Sequence, residues 1–81
     1  MILPSKHLSQ DRALLTVGAS ILRLLWQPKT VSALWEEMLN LAPVKKMSPR
    51  LRYDGFVLAL DVLFLIGAID YEDGLLKRKS L

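Results

Sequence analysis

The side chains that could carry chemistry are few and stand apart. His7 is the sole histidine, and neither neighbour, Lys6 or Leu8, is a carboxylate or a nucleophile. It falls in a stretch expected to be extended, where it has no partner for acid–base work. Asp54 and Asp61 are seven residues apart, two turns of helix and about 10 Å by helix rise. That is wider than a paired-carboxylate hydrolase of the retaining kind requires, and no sugar-binding aromatics accompany them. There is no cysteine, which removes disulfides and thiolate metal sites. The four glycines, at 18, 55, 67 and 74, are too scattered for a phosphate-cradling loop. The sequence therefore predicts no catalytic centre, no metal and no cofactor.

Basic residues are the next candidates. Seven of the 11 lysines and arginines fall in two places. Lys45, Lys46, Arg50 and Arg52 precede the most apolar segment, and Lys77, Arg78 and Lys79 lie near the C-terminus. Either cluster alone reads as ordinary solvated charge. Together they could touch a nucleic-acid backbone. The segment between them argues against base readout, because its outward residues would be Asp54, Leu58, Asp61 and Leu65. Carboxylates repel phosphates, and leucines offer no hydrogen bond to a base edge. Any DNA contact is expected to be non-specific.

The elements that position these residues follow from periodicity. "SQDRALLTVGASILRLLW" reads as an amphipathic helix over about 10–26, with Ser9 as N-cap and Asp11 in its first turn. Leu14, Val17, Ile21 and Leu25 form its inner face, with Arg12, Thr16, Ser20 and Arg23 opposite. Pro28 stops it. A second helix, about 31–41, starts after Thr30 and turns Val31, Leu34, Trp35, Met38 and Leu41 inward, with Glu36, Glu37 and Asn40 toward solvent. Trp35 fits core packing, whereas Trp26, at a helix end, fits either core or interface. "APVKKMSPR" reads as a connector in which Ser48–Pro49 begins a turn or a helix.

The third helix, about 53–66, contains "FVLALDVLFLIG", with one polar side chain in twelve. Phe56, Ala59, Leu60, Leu63 and Ile66 make its inner face. Asp54 and Asp61 mark the outer one, yet Leu58 and Leu65 lie beside them and Val57 and Phe64 flank them. A membrane span is excluded, since insertion would bury Asp61 at a cost of roughly 3 kcal/mol in a run well short of the ~20 apolar residues required. Gly67 ends the helix. "AIDYEDGLLKRK" then reads as a hairpin over about 68–78 around an Asp73-Gly74 type I′ turn. That register sets Tyr71 opposite Leu76, and Asp70 opposite Lys77 as an ion pair. A short edge strand at Ile2-Leu3 would join it.

Three helices followed by a hairpin give the expected fold class, a mostly α, winged helix-turn-helix-like single domain over 1–81. With 52% hydrophobic residues and a mean hydropathy of +0.29, the chain carries more apolar surface than so small a core hides. "MILPSKHL" lacks the charged start of a secretory leader and breaks at Pro4, so a cytoplasmic location is expected.

The stretches "ILPSKHLSQDRALLTVGASILRLL", "KTVSALWEEM" and "YDGFVLALDVLFLIGAIDYEDGLLKR" together resemble middle component six of the ABC-three-component systems. The resemblance runs from Ile2 to Arg78, and the connector "NLAPVKKMSPRLR" is its weakest stretch. It implies a bacterial conflict or antiviral defence operon encoding an SMC-like ABC-class ATPase, an effector and this small subunit between them. It also implies a winged-helix adaptor without catalysis, and it carries no catalytic residues.

Two functions follow as expectations. The first is a non-enzymatic adaptor that docks on the ATPase or effector through Val57, Leu58, Asp61, Phe64 and Leu65, with homodimerisation through the same helix as a variant. The second is a DNA-binding winged-helix regulator contacting backbone through Lys45, Lys46, Arg50, Arg52, Lys77, Arg78 and Lys79. Between them lies a subunit that lends basic side chains to a DNA surface made mainly by the ATPase.

Overall fold

The structure is a computed structural model that describes the backbone of residues 4–79 and the side chains of residues 12–79. Four helices and a hairpin follow in chain order: α1 Pro4–Leu24, α2 Val31–Asn40, α3 Ala42–Lys45, α4 Tyr53–Leu65, β1 Ile69–Glu72 and β2 Leu75–Arg78. The mostly helical, winged-helix-like single domain read from periodicity is the observed architecture. The expected strand at Ile2-Leu3 lies outside the described residues.

α1 is longer than expected at its N-terminus. It begins at Pro4 rather than after Ser9, so His7 and Asp11 belong to the body of a helix. Proline suits a first helical position, where its missing N–H is unsatisfied anyway and its φ is already helical. On the described part of the helix, Val17, Ile21 and Leu25 are buried as the period demands. Ser20, assigned to the solvent stripe, is buried instead. Its hydroxyl donates to the Thr16 carbonyl one turn back at 2.7 Å, which satisfies it inside the fold.

α2 opens on Thr30, whose side-chain oxygen accepts from the Ala33 N–H at 3.1 Å. Leu34 and Met38 are fully buried. Trp35 packs at the margin of the core, tilted against Phe56 at 5.0 Å and edge-on to Tyr53 at 5.2 Å. The supposed connector is partly helical: Pro43 supports the single turn of α3, which buries Val44 between α1 and α2. Ser48–Pro49 is a cis peptide in the bend that follows and begins no helix.

α4 packs on α1 through Phe56, Ala59, Leu60 and Leu63, all buried. It ends in a Schellman motif. Gly67, at φ +76°, donates to the Phe64 carbonyl at 3.0 Å, and Ala68 donates to that of Leu63 at 2.8 Å. Ile66, the C-cap residue, is 69% exposed rather than on the inner face, because α4 ends at Leu65.

The hairpin has the expected register, with Tyr71 opposite Leu76 and Asp70 opposite Lys77. Asp73 and Gly74 both have positive φ, as a type I′ turn needs. The ion pair differs from expectation. Lys77 bonds diagonally to Glu72, while the nearer Asp70 accepts the Tyr71 N–H at 2.8 Å. A third partner comes from the segment before α2: Lys29 and Leu76 exchange both backbone hydrogen bonds, at 3.0 and 2.7 Å. This bridge ties the wing to the helical body.

Candidate partner-binding face

The outward side of α4 is built by the same period that buries its inner side. Residues 54, 58, 61 and 65 recur at spacings of three and four, which places them on one stripe opposite Phe56 and Leu63. Leu58 is 55% exposed, Phe64 39% and Leu65 86%, and Val57 is half-buried on the flank. Asp61 is exposed among them. The structure thus brings together the five residues expected to bind a partner, as one apolar ridge around a single carboxylate. Ile66 extends it at the C-terminal end, where the sequence had placed it inside.

Two further exposed apolar residues lie on α1 and just past its end: Leu15, which escaped the sequence reading, and Trp26, which it left between core and interface. Leu15 is 72% exposed on α1, and Trp26 is 69% exposed just beyond it. Their spacing with half-buried Leu22 (residues 15, 22 and 26) puts them on one edge of the helix, off its inner face. That was the signal available. The Trp26 ring also carries the Lys29 ammonium, 5.3 Å from its centroid. Lys29 is almost buried and pairs with Glu37 at 3.2 Å, so Glu37 is less solvated than expected.

The basic residues divide into committed and uncommitted sets. Lys77 is held by Glu72, whose hydrogen bond and charge raise the ammonium above its ordinary value near 10.5. Arg78 donates to the Leu22 carbonyl at 3.2 Å, one of the last carbonyls of α1, and so caps that helix. Arg52 lies 3.8 Å from Asp54, with both side chains well exposed, which is worth little. Lys45, Lys46, Arg50 and Lys79 are exposed and form no ion pair among the described residues. The two clusters also sit at different ends of α4. Arg50 and Arg52 precede its N-terminus, the hairpin leaves its C-terminus, and about 20 Å of helix rise separates them.

Asp54 and Asp61 are both exposed, and Asp54 accepts the N–H of its neighbour Gly55 at 2.9 Å. Among the described residues no group of three or more His, Asp or Glu side chains is placed to hold a metal. Among the described residues no helix is long and apolar enough to cross a membrane.

A family model described as ABC-three component (ABC-3C) system Middle Component 6 matches residues 3–80. The chain belongs to that family. Its helices, wing and apolar ridge are therefore features of an ABC-3C middle component, a part of a multi-component system. No curated protein and no solved structure matches the chain.

Proposed function

We propose that this middle component is a non-catalytic adaptor, held on a larger protein of the same system through the outer face of α4. The partner is an ATPase of the SMC-like ABC class or the effector it controls, in a bacterial antiviral or conflict system, acting in the cytoplasm. The observation that carries the reading is Leu65, 86% exposed next to Leu58 on a helix that is apolar on both sides. Fully burying a leucine stabilises by about 1.5–3 kcal/mol, so a facing apolar surface would gain several kcal/mol from this ridge before ordering costs. Asp61 favours a partner that supplies a donor or a cation at that point, which gives the contact register as well as affinity.

The test is co-purification with the neighbouring subunits after Leu58→Gln and Leu65→Asp substitution. Glutamine suits position 58 better than aspartate, since a carboxylate there would face Asp54 and Asp61 one turn away on either side. The complex should be lost while the free domain keeps its circular dichroism and thermal midpoint. A complex that survives both substitutions would remove α4 from the interface.

The DNA-regulator reading draws support from Lys45, Lys46 and Arg50, which are exposed and form no ion pair among the described residues. It predicts duplex binding that falls steeply with salt and is lost when these residues are neutralised. With Lys77 paired to Glu72 and Arg78 bonded to the Leu22 carbonyl, the wing offers less uncommitted charge than the sequence suggests, and the adaptor reading is preferred.

A further inference from the structure

A groove at the N-terminal end of α4 brings together residues from three parts of the chain. Arg12, Ala13 and Thr16 of α1 form one wall, Met47 to Arg52 the other, and Asp54 and Gly55 of α4 close its end. Its volume is about 520 Å³. A smaller groove of about 180 Å³ continues from it through Arg50 and Leu51 to Lys45, Val44 and Leu39. The floor is aliphatic, made by Met47, Pro49, Leu51 and Leu39. Cations stand along it: Arg12 and Arg52 at the first groove, Arg50 between the two, and Lys45 at the second. Among the described residues, Asp54 is the one acidic residue lining either groove.

We propose that this trench binds an acidic, leucine-bearing segment of a partner protein. Aliphatic side chains of the segment would fill the floor, and its carboxylates would pair with Arg12, Arg50 and Lys45, arginine being suited to planar two-point contact with a carboxylate. The charge pattern selects an anion, and the floor selects among anions. Single-stranded nucleic acid is bound by stacking bases on aromatic rings in a basic groove, and among the described residues no aromatic ring lines either groove. The acidic hairpin of a second copy is a weaker occupant, because Glu72 is engaged by Lys77 and Asp70 by a backbone amide. Gly55 fixes the shape of the closed end: a Cβ there would come within 3.2 Å of the Leu51 side chain that forms the floor. The trench meets the outer stripe of α4 at Asp54, but none of the ridge residues Val57 to Leu65 lines it, so the proposal does not depend on the adaptor using that ridge.

The test uses the whole chain and fluorescein-labelled peptides of equal length. One alternates glutamate with leucine, a second replaces glutamate by lysine, and a third replaces leucine by serine. A labelled single-stranded oligonucleotide is the fourth probe. The glutamate–leucine peptide should bind and saturate by fluorescence anisotropy, and each altered peptide should bind at least ten-fold more weakly. Arg12→Glu with Arg50→Glu should weaken the first peptide ten-fold or more, and Leu58→Gln with Leu65→Asp should leave it unchanged. Equal binding of the lysine peptide, preference for the oligonucleotide, or no binding of the first peptide would overturn the proposal. So would a dimer that breaks on Asp70→Asn and Asp73→Asn, which would mean that a second copy fills the trench. Circular dichroism of the double arginine variant separates lost binding from lost folding; if that variant unfolds, Arg50→Gln alone must still weaken the peptide.

Discussion

Leu60 and Leu65 stand five residues apart in one helix, and one is 6% exposed while the other is 86% exposed. Nothing in their chemistry separates them. Five steps of 100° turn the second side chain 140° away from the first, from α1 to solvent. The buried side of α4 has Phe56, Ala59, Leu60 and Leu63; the open side has Leu58, Phe64 and Leu65 around Asp61. The two faces differ in their carboxylates: Asp54 and Asp61 keep the open one toward solvent, and the face without charge packs on α1. The buried face makes the domain. The open face is apolar surface that a lone domain gains nothing by carrying, and that contrast is what supports a partner.

The sharpest way to break the comparison is to cut each face in turn. Phe56→Ala should cost about 3–5 kcal/mol, the usual range for removing a core aromatic. Phe56 is fully buried and touches both Trp35 and Tyr53, so the fold has no easy way to close over the gap. Urea unfolding of the free domain measures it, and a loss below about 1 kcal/mol would mean that the ring is not central to the core. The open face should behave in the opposite way. Leu65→Asp should lower affinity for the partner subunit by about 30-fold or more, as for a residue central to an interface. Its effect on the free domain should stay within about 0.5 kcal/mol, as for an exposed position. Isothermal calorimetry and urea unfolding on the same variant give both numbers, and similar losses in both would erase the distinction between the faces.

A smaller effect tests how firmly α2 supports the aromatic cluster on the buried face. Thr30→Ala removes the acceptor of the Ala33 N–H and should cost about 1 kcal/mol. Trp35 sits in the second turn of α2, so fraying there should also change its fluorescence before global unfolding. Partner affinity should hold, because α2 contributes nothing to the ridge.

Much of this was legible in the sequence because local rules and tertiary packing agree. The Asp73-Gly74 turn fixes the hairpin register by itself, and Gly67 after an apolar run announces the Schellman ending. The 3.6-residue period separated Leu60 from Leu58 without any structure. The misses lie where a particular hydrogen bond, local or distant, takes a side chain away from what its period or register suggests. Ser20 looks solvated by period, but its hydroxyl is satisfied within its own helix and can be buried. Lys77 faces Asp70 across the hairpin, yet the Asp70 carboxylate is occupied by a local amide and the lysine turns to Glu72. Arg78 reads as a free cation until α1 presents an unsatisfied carbonyl to it. The basic trench was legible only in part: Lys45, Arg50 and Arg52 were noticed as a cluster of charge, and Arg12, far away in sequence, joins them only through the fold.

The smallest effect has the opposite sign and isolates the buried face. Gly18 lies in the middle of α1, where glycine costs about 0.5–1 kcal/mol relative to alanine through the freedom it loses on folding. A Cβ at that position would sit 4.0 Å from the Leu63 side chain, an ordinary contact that needs no movement of α4. Gly18→Ala should therefore stabilise the domain by about that amount and raise its thermal midpoint by a few degrees. The contact lies on the α1-facing side of α4, so affinity for a partner on the Leu58–Leu65 side should not change. A rise in stability with a loss of binding would mean that the two faces are coupled through the position of α4 on α1. A fall in stability would mean that the two helices are already packed too closely there for one more methyl group.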